Sequence, residues 1–461
     1  MIRIFKHYVP WPVLLLGLID VIILFGSGEA AWIWRLDQIG SRPEPISTRL
    51  PELGVYALGI ELAHIAVGVY GPKALSSLRF ATARLIVGVL LGVVGLSALF
   101  FLVPGLSFWR SNLLYAMAVS VPALVAARVL LGKSLGGEAF KRRIVVLGAG
   151  ASAARIRELA KQEGAGFVPV SFIAMNDGPG VIEEAINRTA IHSLSDHMVL
   201  LNATEVVLAL EERRNALPLS DLVRIRTTGL HVSDMSSFLE RETGRVDLDS
   251  LNPSWLIFSD GFSSGRTLSS AGKRVFDLLV SLALLALTAP IIALFALIIR
   301  LESRGSAFFR QTRVGLNGET FTVVKLRSMA QDAEKDGAVW ASVNDPRVTR
   351  VGRFIRATRI DELPQTWSVL RGEMSFVGPR PERPEFVDGL AEKLRWYGER
   401  HMVKPGITGW AQVNYPYGAS LEDSRNKLEY DLYYAKNYSL FLDLLILLQT
   451  VRVVIWPEGV R

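Results

Sequence analysis

Four long apolar runs, at 11–34, 53–71, 85–104 and 112–131, fill the first 131 residues. Each is near the about 20 residues that an α-helix needs to cross a hydrocarbon core, where backbone polar groups must be satisfied within the segment. No other feature restricts the fold as much: the N-terminal third is expected to be a bundle of four transmembrane helices. Trp11, Trp32, Trp34 and Trp109 lie at the ends of these runs, where indole rings prefer the membrane interface. The short loops set the direction. Arg3 and Lys6 precede the first run, Lys73, Arg79 and Arg84 lie between the second and third, and Lys133, Lys141, Arg142 and Arg143 follow the fourth. The loop at 35–52 balances three arginines against three acids. The positive-inside rule therefore places the N-terminus and everything after Leu131 in the cytoplasm. The first run has no small-residue cleavage site and reads as an anchor.

At 461 residues the chain is too long for one core, and two or three domains are expected. Half of it is hydrophobic and there is no cysteine, which excludes disulfides and thiolate metal sites. The net charge of +7 beside apolar runs points to membrane lipid or phosphorylated substrates, with no nucleic-acid partner. Glu61 and His64 stand three apart on the second run, hence on one helix face, and read as packing inside the bundle.

Residues 142–160, RRIVVLGAGASAARIRELA, read as a buried strand, a glycine turn and a helix. Gly148, Gly150 and Ala153 have the spacing G-x-G-x-x-A that lets a dinucleotide approach a helix start. Further strands are expected at VPVSFIA, EVVLAL and LHVSDM, giving a parallel Rossmann-like α/β domain over 136–262. The acid that would hold a ribose should end the second strand, but the first one there is Asp177, past an asparagine. A structural or regulatory module is the reading favoured over a nucleotide site.

A Ser/Gly-rich linker is expected at 259–271, followed by an apolar helix over 275–300 with Pro290 at its centre. Lys273 and Arg274 before it, and Arg300 and Arg304 after it, favour a proline-broken helix that re-enters the face it left. The remaining chain belongs to a domain at 263–461, rich in Arg, Lys, Pro and Gly. Asn317-Gly318 marks a hairpin turn that brings up Lys325. VGRFIRATRIDELPQ sets Arg353, Arg356 and Arg359 just before the adjacent acids Asp361 and Glu362. Pro364 is tolerated only near a helix start, so both acids should sit in a helix N-terminal field that favours their ionised forms. GPRPERPEF adds Arg380 and Arg383 on a proline-held loop, and KPGITGW adds Lys404 beside Gly406, Gly409 and Trp410. Cations at this density around one acidic pair are what a diphosphate substrate requires. The last apolar stretch, 439–456, fits an interfacial amphipathic helix.

Together KRVFDLLVS, VVKLRSM, RIDELPQTWSVLRGEMSFVGPRP, KPGITGWAQVN and YDLYYAKNYSLFLD resemble the bacterial polyprenyl-phosphate sugar-1-phosphate transferases, the monotopic phosphoglycosyl transferases. The N-terminal spans and Rossmann-like domain resemble the long-form members. The resemblance implies an α-rich monotopic catalytic domain in which Asp361 attacks the β-phosphate of a UDP-sugar and expels UMP. The sugar 1-phosphate then passes to undecaprenyl phosphate, the initiating step of exopolysaccharide or O-antigen synthesis. It also implies Mg2+ held by Glu362, and Lys325, Arg356, Arg380 and Asp431 around the phosphates or metal. Trp410 lies in a segment similar to that reaching the nucleotide. The implied location is the bacterial inner membrane, with the catalytic domain on the cytoplasmic face; apolar spans also allow a homodimer. A nucleotide-sensing membrane regulator, resting on Gly148–Ala153, is the alternative from another class, and a transporter resting on Glu61 and His64 is a further one. Neither explains the cationic cluster from Lys325 to Lys404.

Overall fold

The computed structural model describes residues 2–455 except 5–6, 10, 43–44, 72–73, 75–77, 107, 136–140, 163–164, 176–180, 211–216, 250, 252–266, 332, 334–344, 417 and 419. Asp177, Trp456 and most of the expected linker lie outside the described residues. Contacts divide the chain into two compact units whose bulk is Tyr8–Gly244 and Arg245–Arg461.

The first unit opens with four helices: α1 (Trp11–Gln38), α2 (Leu50–Val67), α3 (Leu78–Leu102) and α4 (Arg110–Leu135). All four contain segments long and apolar enough to cross a membrane. They share one core, in which Leu24, Tyr56, Ile60, Leu85, Val89, Leu96, Leu113 and Leu124 are buried. Leu18, Ile22, Leu58, Leu90, Val94 and Leu114 point outward and are exposed. A layer of exposed apolar side chains around such a core suits lipid as the surrounding medium. Trp32 stacks on Trp109 with ring centroids 6.0 Å apart. The interior is less simple than the sequence reading held. Glu61 and His64 do face inward, but Asp20 of α1 and Arg128 of α4 are buried with them, and Tyr70 joins the same group.

The same unit continues into an α/β sheet. Its strands are β1 (Arg142–Leu147), β2 (Phe167–Ala174), β3 (Ile186–Asn187), β4 (Glu205–Leu208) and β5 (His231–Asp234). All pairings are parallel and the spatial order is β3-β2-β1-β4-β5. That matches five strands of the doubly wound dinucleotide-binding order 3-2-1-4-5-6. Helix α5 (Ala151–Lys161) begins at the expected glycine turn, and α6 (Leu194–Leu200), α7 (Leu219–Thr227) and α8 (Met235–Thr243) follow. Gly148 has φ +132°, and a Cβ there would meet the Ala209 carbonyl oxygen at 2.4 Å, so a side chain is excluded. The coarse architecture is thus a membrane protein carrying an α/β domain.

In the second unit, α9 (Thr267–Glu302) is helical through Pro290. The helix starts earlier than expected and keeps helical backbone through the proline, so a return to the face it left requires a bend at Pro290 and not an interruption of the helix. A proline removes one N–H and one helical bond, and the turns on either side keep theirs. Nearby, the Thr288 hydroxyl donates to the Leu284 carbonyl at 2.7 Å. Strands β6 (Phe308–Val314) and β7 (Thr320–Leu326) form the antiparallel hairpin, turning at Asn317 and Gly318, both with positive φ. Helix α10 (Arg350–Ala357), a 3₁₀ helix at Ile360–Gln365 and α11 (Thr366–Arg371) follow. Two short parallel strands, β8 (Ser375–Val377) and β9 (Gly406–Thr408), pair at the centre. Helix α12 (Pro384–Lys393) lies between these strands in the chain, α13 (Trp410–Asn414) follows β9, and α14 (Leu421–Asn437) and α15 (Leu440–Ile455) cover the pair. The core holds Val369, Met374, Phe376, Trp410, Leu428, Leu432 and Tyr433, and also Val246 and Leu251 from the start of the unit.

Candidate active site

The acidic pair lies where three local structures meet. Arg359 adopts a left-handed backbone, φ 58°, and so turns the chain from α10 into the 3₁₀ helix that begins with Ile360, Asp361 and Glu362. A non-glycine residue in that region is strained, by roughly 1 kcal/mol or more, and the packing around it must hold it there. Helix α10 can come close because Gly352 has no side chain: a Cβ would sit 1.9 Å from the Ser328 carbonyl oxygen. Strand β7 then presents Lys325 to the pair, and the Gly-Pro-Arg loop after β8 presents Arg380. That loop is knitted to the KPGITG segment by backbone contact; a Cβ on Gly378 would meet the Lys404 carbonyl at 2.2 Å. The motif glycines therefore serve close approach.

Glu362 is the anchor. Its Oε1 accepts a hydrogen bond from Lys325 Nζ at 3.0 Å, with Arg380 Nη2 at 3.5 Å and Arg359 Nη1 at 3.9 Å. Burial alone would raise its pKa, but Lys325, Arg380 and Arg359 outweigh that and hold it at about 2. Asp361 is 7% exposed, and its Oδ1 is buried with no hydrogen-bond partner. Burial, with the charge on Glu362 beside it, pushes its pKa up to about 6 against the pull of Lys325, Arg356 and Arg359. The ionised form expected of both acids therefore holds at Glu362 alone, where the cations secure it; at Asp361 desolvation is larger. Burial also lowers the Lys325 pKa, opposed by Glu362.

Asp361, Glu362, Lys325 and Arg380 are brought together, and Arg356 acts on Asp361 electrostatically. The other sequence candidates stand elsewhere in the unit. Arg383 lies over the Phe386 ring at 5.9 Å. Trp410 is buried in the core, stacked on Tyr433 at 5.9 Å. Lys404 shares an electrostatic neighbourhood with Arg274, Asp277 and Lys273 of α9. Asp431 Oδ2 accepts two hydrogen bonds from Arg400, at 3.0 Å from Nε and 2.7 Å from Nη2. Arg400, which sequence reasoning did not single out, also donates to the Arg380 carbonyl at 2.9 Å. Asp431 thus supports the backbone that carries Arg380. Arg359, in the sequence one of several arginines before the pair, both shapes the turn and reaches Glu362. Its place beside the pair was visible in sequence; the reach of Arg400, 31 residues from Asp431, was not.

Comparison with known proteins decides the family. The family model described as bacterial sugar transferase matches residues 268–457. An uncharacterized sugar transferase of Bacillus subtilis (strain 168), EpsL, is 43% identical over 189 residues, 41% of this chain and 90% of that protein. The chain belongs to the bacterial sugar transferase family. The chain is also 42% identical over 240 residues to the UDP-N-acetylgalactosamine-undecaprenyl-phosphate N-acetylgalactosaminephosphotransferase of Aeromonas hydrophila, covering 52% of this chain and 56% of that one. The undecaprenyl-phosphate glucose phosphotransferase of Komagataeibacter xylinus is 47% identical over 186 residues, 39% of this chain and 35% of its own. The chain thus spans about half, or less, of the length of these two relatives. The acidic pair, Lys325 and Arg380 all fall inside the matched family region.

Proposed function

We propose that the protein transfers a sugar 1-phosphate from a UDP-sugar to undecaprenyl phosphate, with Asp361 as the covalent carrier. In the first step an Asp361 oxygen forms a bond to the β-phosphorus, the bond from that phosphorus to the bridging oxygen breaks, and UMP leaves. In the second, an oxygen of the lipid phosphate attacks the same phosphorus and the Asp361 carboxylate departs, leaving a polyprenyl diphosphate sugar. The observation that carries this reading is the division of labour in the pair. Glu362 is tied to three cations, whereas Asp361 keeps a buried oxygen without a partner beside them. Lys325 and Arg380 are placed to offset charge on the phosphate oxygens as it develops.

The residues fit a magnesium ion. Glu362 engages cations through one oxygen and has a second, and two adjacent carboxylates are hard oxygen donors that Mg2+ accepts along with substrate phosphate. When bound it would supply charge neutralisation at the diphosphate, with Glu362 as the proposed ligand.

We infer further that α9 dips into the cytoplasmic leaflet of the inner membrane and returns, within a protein of three domains at 1–135, 136–262 and 263–461 whose first four helices span it. Support comes from both ends of α9, which are held by one body. Near its start, Lys273 donates to the Val377 carbonyl at 3.1 Å and Arg274 to the Val369 and Leu370 carbonyls at 2.6 and 2.7 Å. Near its end, Phe295 stacks on Phe354, Ile299 packs against Leu326 and Ile355, and Arg327 donates to the Ser303 carbonyl. Between them Leu282, Leu287, Leu294 and Leu297 are exposed. A single crossing would separate the ends by a bilayer.

Purified protein in nanodiscs with undecaprenyl phosphate and a panel of radiolabelled UDP-sugars tests the main reading. Label should enter a butanol-extractable lipid, and without the lipid it should stay on the peptide containing Asp361. Since the names of the two relatives above carry different sugars, the panel also identifies the donor. Transfer by an Asp361→Asn variant at the native rate would refute the carrier.

A further inference from the structure

The transferase reading leaves one set of buried ionisable groups unused. Asp20 on α1, Glu61 and His64 on α2, Tyr70 just beyond α2 and Arg128 on α4 meet inside the apolar helices. Asp20 and His64 are fully buried, and Arg128 and Glu61 are 7% and 9% exposed. One oxygen each from Asp20 and Glu61 and one ring nitrogen of His64 lie within 4.8 Å of one another.

The internal bonds do not account for all of these atoms. Arg128 donates to both oxygens of Asp20, to Oδ1 at 2.9 Å. The Tyr70 hydroxyl lies 2.6 Å from Asp20 Oδ2 and 2.6 Å from Glu61 Oε1, yet it has one proton to give. Glu61 Oε2 and both ring nitrogens of His64 have no hydrogen-bond partner, although His64 Nδ1 comes within 3.5 Å of Glu61 Oε2. Buried polar atoms left so are destabilising. The packing has been opened to hold them: a Cβ on Gly88 would lie 2.5 Å from His64 Cδ2, and one on Gly17 would lie 3.4 Å from Glu61 Oε1. Two carboxylates against one guanidinium leave a negative balance in an apolar interior, which attracts a cation.

We propose that Asp20, Glu61 and His64 bind a divalent transition-metal ion of the zinc class. An imidazole nitrogen with carboxylate oxygens and no thiolate suits Zn2+ or a similar ion, while Mg2+ and Ca2+ prefer all-oxygen sets. Donors around zinc at about 2.0 Å stand roughly 3.3 Å apart, so binding draws these side chains together by up to about 1.5 Å. Tyr70 and Arg128 hold the carboxylates from behind, as outer partners of metal ligands do. The ion ties α1 to α2 and is separate from the acidic pair of the transferase site.

The test uses the full chain in nanodiscs, tag removed and with millimolar Mg2+ present, equilibrated with limiting Zn2+ or Co2+ and passed over a desalting column. Elemental analysis should find about one equivalent of Zn2+ in the wild type and in Asp361→Asn, and less than about a tenth in His64→Gln and Glu61→Gln. Bound Co2+ should show visible absorption bands that both of these variants lose. His64→Cys, which restores a zinc donor, should recover metal and separate loss of a ligand from loss of fold. No retained metal in the wild type, or equal retention in His64→Gln and Glu61→Gln, would overturn the proposal and leave the cluster as an ion-pair network alone.

Discussion

Asp361 and Glu362 share a peptide bond and are driven in opposite directions. Lys325, Arg380 and Arg359 all lie nearer to Glu362, whereas desolvation dominates at Asp361. The proposed attack requires the Asp361 carboxylate, so kcat/KM should fall as pH drops through about 6. Lys325→Met removes a cation that lowers the Asp361 pKa, so this acid limb should move to higher pH while the plateau drops. A pH profile of label transfer with an unmoved limb would mean that another group titrates. The same shift bears on stability. A carboxyl raised from 3.8 to about 6 favours the fold fully below about pH 4, and that advantage is lost as pH rises through 6. At pH 7 the native Asp361 is therefore unfavourable by roughly 3 kcal/mol, at 1.36 kcal/mol per unit. Asp361→Asn, which should lose several orders of magnitude in turnover, should melt higher than wild type at pH 7 and alike at pH 4, as read by thermal unfolding in detergent.

For the helical element α9, the proposed return to one face makes a prediction that labelling can check. The chain has no native cysteine, so single thiols report cleanly. Ser270 and Ser306 flank the apolar stretch and are exposed. Ser270→Cys and Ser306→Cys should both react with a membrane-impermeant maleimide from the cytoplasmic side of inverted vesicles. Reaction from opposite sides would make α9 a fifth span. Gly305 is unsuitable for a probe, since its φ is +114° and a Cβ would meet Arg327 at 2.5 Å. Pro290→Ala restores a backbone donor worth roughly 3 kcal/mol to a straight helix. It should reduce transfer and place some Ser306→Cys thiols on the other face.

At the scale of the whole molecule, the acidic pair and its cations lie within Arg245–Arg461, and the Bacillus subtilis relative is matched over 90% of its length by a comparable stretch. Residues 245–461 alone should therefore carry out transfer in lipid. A fragment starting at 267 should be less stable, because Val246 and Leu251 are buried in this unit's core, and losing each large apolar side chain costs about 1.5–3 kcal/mol. Gly150 has an ordinary extended backbone, φ −85°, at the start of α5, in the other unit. Gly150→Val should leave the transfer rate of the full chain within about twofold, as expected for a site outside the unit that carries the acidic pair. A large loss in well-folded protein would show that the Rossmann-like domain takes part in the reaction.

The sequence by itself determined whatever depends on near neighbours along the chain. Apolar runs specify helices, Asn317-Gly318 specifies a hairpin turn, and Asp361 beside Glu362 specifies an acidic pair, because each is settled within a few residues. Only the tertiary structure decided what distant residues do to one another. It joined Asp20 to Arg128 across 108 positions, spent Asp431 on Arg400, and put Trp410 in the core. It also split the two acids into one ionised anchor and one desolvated carboxyl. Burial and charge proximity set those outcomes, and both are properties of packing that no local spacing encodes.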